Sequence, residues 1–231
     1  MALLDDLKSE VAAVFRNVWT ERDGRVVPDT ESLKLGNDAI NLTATVLYAD
    51  LTKSTALVDG YKAHFAAEVY KSYLHCAAKI IRSEGGEITA YDGDRIMAVF
   101  VGDHKNTAAA RAALKINYAR INVVNPAIEA QYPKVTYRVS SAVGIDTSTL
   151  YVAKTGIRGS NDLVWVGRSA NYAAKLTELD ADYPTWITDA VYSKLPPALK
   201  TGSEGRSMWE ARTWTSMGGL RIHRSNWWWK V

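Results

Sequence analysis

Asp50 closes the apolar run LTATVLYAD, and Asp94 follows Asp92-Gly93 between two strand-like runs. If the chain sets those strands side by side, the two carboxylates come together. An oxygen-only pair of this kind suits Mg²⁺ or Mn²⁺, which bind through carboxylates shared with substrate phosphates. An Asp at a strand end also serves as a plain turn former, so the pair alone does not decide the chemistry. Asn171 and Lys175 stand four residues apart and project from one helical face. Taken alone, an NxxxK pair reads as a solvated helix lysine. Cys76 is the single cysteine, which excludes an intrachain disulfide. His64, His75, His104 and His223 fall in no motif.

The elements that must carry these residues follow from periodicity. Residues 3–19 hold Leu3, Leu7, Val11, Val14, Phe15 and Val18 at helical spacing, followed by the polar, turn-prone ERDGRVVPDT. This predicts an N-terminal helix and linker over 1–41 and a main body over 42–231. The body opens with a buried strand at 42–51. A helix over about 61–84 follows, with Val69, Tyr73, Ala77 and Ile80 on one face and Gly85-Gly86 as its stop. EITAY (87–91) and RIMAVF (95–100) flank Asp92-Gly93-Asp94 as a hairpin. A helix at 105–122 presents Ala109, Ala112, Ala113, Ile116 and Ala119, and a strand at 135–145 follows a break at VNPAIEAQYPK. The order is β-α-β-β-α-β, an α+β ferredoxin-like plan. A C-terminal α/β extension adds strands at STLYVAK and DLVWV, a helix at SANYAAKLTEL, a strand at PTWIT, a short helix near 189–195, and strands near MWEARTW and LRIHR.

The chain has 231 residues, 47% hydrophobic and 23% charged, enough apolar material for a real core. With 28 Lys+Arg against 25 Asp+Glu the formal charge is only +3, which disfavours a nucleic-acid partner or an anionic membrane surface. The start MALLDDLKSEVAAVF has no basic n-region, and no run reaches the roughly 20 apolar residues of a bilayer span. A cytoplasmic protein with no membrane partner is expected.

Four blocks, VLYADLTKST, YDGDRIMAVF, AVGIDTSTLYVAKTG and VWVGRSANYAAKL, occur in this order. They resemble blocks of the class III nucleotidyl cyclase catalytic domain: a strand ending in a metal Asp before a "GFT"-like turn, then "GDxxMAVF", "GIHTG" and "GDTVNLAARL". The resemblance implies that Asp50 and Asp94, with the backbone of Leu51 beside them, hold two divalent ions per site, Mg²⁺ or Mn²⁺. It makes Asn171 the residue that orients the ribose and Lys175 the cation at the α-phosphate. The family has Arg at that last position, so Lys175 supplies a point charge without a bidentate fork. Leu51 to Thr55 are placed as a phosphate cradle, with Thr52, Ser54 and Thr55 within it. Plain N-capping by one of these three is compatible with that role. Within the family the metal pair and the Asn/Arg pair come from opposite protomers, which implies a head-to-tail homodimer with composite sites.

Purine cyclases of this class read the base four residues before the second metal Asp and seven before the Asn. Here those positions are Ala90 and Val164, neither able to hydrogen-bond. Tyr48, Tyr91, Arg95, Trp165 and Arg168 stand nearby, and bulk around the slot favours a smaller base. The chain is therefore most similar to the pyrimidine cyclases of the Pycsar anti-phage systems, whose cyclic nucleotide activates an effector protein. Uracil offers acceptors that Arg95 or the Tyr48 hydroxyl satisfies, so UTP is the expected substrate, with CTP and ATP as alternatives. Tyr48 also reads as strand packing, and Arg95 as a partner of Asp92 or a phosphate.

The family's triphosphate-gripping Lys is missing from TSMGGLRIHR, where Arg212, Arg221 or Arg224 are candidates to replace it. Asp146 and Ser148 occupy what the pattern makes a strand turn. The NWWWK tail (226–230) is expected to cover a dimer seam or the apolar side of the N-terminal helix. A catalytically silent nucleotide-binding module and a nucleic-acid-binding protein on the same sheet remain the rivals from other classes.

Overall fold

A computed structural model describes residues 2–180 and 182–231. Its trunk is a pair of long antiparallel strands, β2 (Asp38–Leu51) and β5 (Ser141–Ile157), in register from Ala39 opposite Ala153 to Leu51 opposite Ser141. β2 is buried along most of its length, and β5 is buried over Ser141 to Asp146 and again around Leu150 to Ala153. The hairpin β3 (Glu87–Asp92) and β4 (Arg95–Phe100) adds to β2, giving the order β3-β4-β2-β5. This is the expected βαββαβ arrangement. Beyond β5 lie β7 (Thr185–Thr188), β9 (Leu220–Ser225) and β8 (Glu210–Trp214), while β6 (Ser160–Val166) pairs with the far half of β5.

Alternation along the strands divides the core in two. Leu47, Ala49, Ile96, Ala98, Phe100, Val143 and Ile145 face α3 (Ala63–Ser83) and α4 (Lys105–Ala119), whose Val69, Tyr73, Ala77, Ala109 and Ala113 complete the larger cluster. Leu42, Ala44, Val46, Met97, Val99, Leu150 and Val152 face the other way, toward Ala170 and Ala173 of α6 (Arg168–Leu176).

Several boundaries differ from the sequence reading. A strand β1 (Thr20–Gly24) lies in the stretch expected to be linker and pairs in parallel with β2, which itself begins at Asp38, before residue 42. Arg22 on β1 and Asp38 on β2 form an ion pair at 2.6 Å. The N-terminal helix α1 (Ala2–Arg16) stops three residues early. A short helix α2 (Ser54–Gly60) begins inside the expected phosphate-cradle segment and contains its Ser54 and Thr55. The helix expected over 105–122 is α4 to Ala119 and then a π-helical turn, Arg120–Val124, and most of the stretch expected to be a break is a further helix, α5 (Asn125–Gln131), with Pro126 in its first turn. Residues 135–140 form no strand; Val139 N–H instead donates to Asn125 Oδ1 at 2.7 Å.

The largest departure is at GIDTST, which is neither a turn nor a boundary between strands. Residues 141–157 form one continuous strand. Within the protomer the Trp tail is tied down at three points: Trp229 N–H donates to Leu114 O of α4 at 3.1 Å, Trp227 packs on the larger core, and Trp228 meets Tyr118 with ring centres 5.2 Å apart. It covers α4, not α1. No helix of the described residues is long and apolar enough to cross a membrane.

Candidate active site

Asp50 is the penultimate residue of β2 and pairs across the ladder with Arg95, the first residue of β4. Gly93 and Asp94 form the two-residue turn between Asp92 and Arg95, and Gly93 carries the φ of +59° that such a turn requires. Asp94 is therefore next to the residue opposite Asp50. The Arg95 guanidinium donates to Asp50 Oδ2 from Nε at 3.1 Å and from Nη2 at 2.8 Å, and it lies 5.8 Å from the centre of the Tyr48 ring. Of the protein partners for Arg95, Asp50 is the one found and not Asp92.

Burial pushes the Asp50 carboxyl above its ordinary range; Arg95 opposes this and the neighbouring charge of Asp94 reinforces it. Asp94 Oδ2 is buried without a hydrogen-bond partner, as are the hydroxyls of Thr52, Tyr73 and Ser141. Ser141 is opposite Leu51 in the ladder, and Tyr73 comes from α3. Burial raises the Tyr73 phenol well above its usual value, and the charges of Asp50 and Asp94 add to the rise. Tyr73 and Ser141 were not among the residues expected here. The one signal for Tyr73 is a hydroxyl inside an otherwise apolar helical stripe.

The segment after Asp50 turns sharply. Thr52 N–H extends the ladder to Ser140 O at 2.9 Å, and Lys53 adopts left-handed φ of +60° before α2 begins at Ser54. The cap position is Lys53 with no side-chain cap, so none of Thr52, Ser54 or Thr55 does the plain capping weighed for it. Thr55 is exposed; Thr52 and Ser54 are half-buried.

Among the base candidates, Tyr48, Ala90 and Trp165 are half-buried at the edge of the smaller core cluster. Val164 is on the other side of β6, in a groove with Glu10, Val14 and Trp19. It is Trp165, not Val164, that shares a cluster with Tyr48. Arg168 is held by its own protomer: Nε lies 3.0 Å from Asp146 Oδ2, and Nη2 donates to Thr147 O at 2.7 Å.

Asn171 and Lys175 are both exposed on α6, and Lys175 Nζ lies 3.8 Å from Met217 Sδ. The placement of α6 has two local causes. Gly144 of β5 lies under the helix, where an added Cβ would stand 2.1 Å from Ala173 O. Asp146, fully buried, accepts from the Thr188 hydroxyl and from Arg168, the first residue of α6, while Ser148 Oγ accepts from Ser169 N–H at 3.0 Å. These contacts absorb the polar residues of GIDTST within the strand.

Arg168→Ala leaves Asp146 buried with only Thr188, and a loss of about 2 kcal/mol is expected. Burial raises the Asp146 carboxyl, with Thr188 and Arg168 opposing, so the folded state takes up its proton more readily than the unfolded chain. The deficit of the variant therefore shrinks as the pH falls into the carboxylate range. Urea melts at neutral and mildly acid pH check both size and sign.

Of the three arginines weighed for the missing triphosphate Lys, Arg224 is committed elsewhere, to Glu210 at 2.8 Å and Asp180 at 3.1 Å and against the Tyr183 ring. Arg212 is paired with Glu210, whereas Arg221 is 67% exposed and 3.7 Å from Asp189.

No group of three or more His, Cys, Asp or Glu that could hold a metal ion occurs among the described residues. The Asp pair fits a hard divalent cation in another way. Its donors are all oxygen, and Asp94 brings a buried oxygen that the protein leaves unpaired.

No family model matches the chain. It is 53% identical over 232 residues to a uridylate cyclase of Xanthomonas perforans and 52% identical over 233 residues to a uridylate cyclase of Burkholderia cepacia, in both cases across 100% of each chain. The chain belongs to the uridylate cyclase family. Its fold is also that of a nucleotide cyclase: the adenylyl cyclase CyaB of P. aeruginosa superposes with a TM-score of 0.68 at 20% identity, covering 81% of this chain and 95% of that one.

Proposed function

We propose that the chain is a uridylate cyclase that converts UTP to 3′,5′-cyclic UMP and pyrophosphate. The observation that carries this reading is full-length identity above one half to relatives named for that activity. In the reaction the ribose 3′-oxygen loses its proton and bonds to the α-phosphorus, and the α–β phosphoanhydride bond breaks to release pyrophosphate. Asp50 and Asp94, with the backbone of Leu51, would hold two Mg²⁺ or Mn²⁺ ions. Bound there, divalent ions neutralise the triphosphate and make the 3′-hydroxyl more acidic. Thr52, Ser54 and Thr55 bind the β- and γ-phosphates. Asn171 orients the ribose and Lys175 offsets charge at the α-phosphate.

The Tyr48 hydroxyl and Arg95 read the acceptors of uracil, with Ala90 and Val164 standing where purine cyclases place their readers. Cytosine would present an amine to these donors and lose the contact. Catalysis takes place in a head-to-tail homodimer whose α6 residues serve the partner's Asp pair. The catalytic unit is 42–231, with β1 and the start of β2 as an added edge. The protein works in the cytoplasm, and its product activates an effector in anti-phage defence.

Purified protein incubated separately with UTP, CTP, ATP and GTP plus Mn²⁺ is expected to yield cyclic UMP by mass spectrometry. A different cyclic nucleotide overturns the base assignment, and no product overturns the enzyme reading. Mixing Asp50→Ala protein with Asn171→Ala protein should return activity, since each mixed dimer holds one intact composite site. If subunits exchange and activity stays absent, the cross-protomer assignment is wrong.

A further inference from the structure

Helix α1 buries none of its residues in the protomer. Leu4, Leu7, Val11 and Val14 follow one another at alternating spacings of three and four, the seam pattern of paired helices. All four are about half exposed or more, and Leu3 and Phe15 flank them at 72% and 86% exposed. The opposite face is polar or small, with Asp5, Asp6, Ser9, Ala12 and Arg16. A 15-residue helix is marginal in water without tertiary packing, so α1 needs a partner that the protomer does not supply.

The helix is nonetheless aimed. Asn37 Nδ2 donates to Val14 O at 2.9 Å and to Asn17 O at 2.7 Å, which ties its C-terminal end to the start of β2. Trp19 just beyond packs edge-on against Tyr151 of β5 at 5.2 Å. The apolar stripe thus leaves the sheet at a fixed place.

We propose that this stripe is an interaction surface whose partner is α1 of a second copy of the chain, the two stripes packing together about a two-fold axis. Covering it on both copies, with the adjoining Val18 and Trp19, removes on the order of 1,200 Å² from solvent, the size at which a specific interface becomes stable. The composition argues against a lipid surface. Asp5, Asp6 and Glu10 outnumber Lys8 and Arg16, whereas helices that lie on membranes are rich in cations. The inference takes from the proposed homodimer only that a second copy is at hand; it is independent of the substrate.

The test is cysteine cross-linking of the full chain in a Cys76→Ser background. Val11→Cys is expected to give a disulfide-linked dimer on non-reducing gels under mild oxidation, at least tenfold faster than Glu204→Cys on an exposed loop. In parallel, Leu7→Glu with Val11→Glu should raise the concentration at which the protein dissociates, measured by sedimentation, tenfold or more. Both positions are exposed in the protomer, so the fold is expected to persist, and circular dichroism checks it. Cross-linking no faster than the Glu204→Cys control overturns the inference. So does binding of the wild type, lost in the double variant, to vesicles of anionic phospholipid, which would assign the stripe to lipid. If cross-linking fails while Asp50→Ala and Asn171→Ala proteins still complement each other, the inference falls and the composite-site reading stands.

Discussion

Asp94→Asn is expected to reduce turnover by on the order of 10³ while leaving the protein as stable as before or more so. The two effects have one cause. Asp94 Oδ2 is buried with no hydrogen-bond partner, beside a second carboxylate whose own proton affinity is raised by burial and by the charge of Asp94. In the free protein, negative charge at this turn is a liability. Replacing it with an amide of the same shape removes repulsion from Asp50 and offers two donors, a gain of about 1 kcal/mol. A residue kept for folding would show the reverse. Turnover and thermal unfolding measured on the same preparation separate the cases, and a variant that retains activity would sink the two-carboxylate reading. Asp50→Asn should lose comparable activity but gain no stability, since Arg95 then loses the carboxylate that accepts from it at 2.8 and 3.1 Å.

Gly144→Ala has the second largest expected effect, although Gly144 touches no reacting group. Its added Cβ would be 2.1 Å from the Ala173 carbonyl oxygen and 2.7 Å from Leu176 Cβ, so the α6 backbone must move outward by about an ångström or more. The expected cost is about 2–3 kcal/mol in stability, as for other overpacked cores. Because α6 presents Asn171 and Lys175, the same displacement should lower turnover by on the order of a hundredfold. Gly202→Ala is the matching control. Its Cβ would meet the far end of the Trp227 ring at 2.3 Å, a side chain of the tail and not the backbone of a helix. Activity lost equally in both variants would mean that the effect of Gly144→Ala is general destabilisation and not misplacement of α6.

Local chemistry decided what could be read from the chain without a structure. The Asp92-Gly93-Asp94 turn and the strand ending at Asp50 were legible because a two-residue hairpin and a strand that stops on a carboxylate are written in consecutive residues. The order of β2, β3 and β4 was legible from their apolar runs, whereas β5 was read as two pieces, 135–145 and STLYVAK, of the one strand that spans 141–157. β1 was not: TERDG has almost no strand propensity, and what makes it a strand is the register with β2 and the ion pair from Arg22 to Asp38, 16 residues away. GIDTST read as a strand turn because the pattern it resembles has one there. It is a strand because Arg168 and Thr188 satisfy Asp146 from a distance, which no window of sequence contains. The hydroxyls of Tyr73 and Ser141 beneath the carboxylates were hidden likewise, one inside a helical stripe and the other at a strand start.

The long β2–β5 pairing has a consequence for how the protein reaches its fold. Its partners are roughly 90 to 115 residues apart in sequence, so the central ladder forms only after a large loop has closed. The β3–β4 hairpin and the α3–α4 pair are local and assemble first; the strand that joins the halves of the molecule comes last. Such a topology folds over milliseconds to seconds, far from the microseconds of helical bundles. Throughout that interval the edge of β2, with its apolar stretch Val46 to Ala49, stands open to any other unpaired strand. Yield of native protein from dilute and concentrated refolding should therefore diverge sharply, with crowding during synthesis setting how much of each nascent chain survives to its finished form.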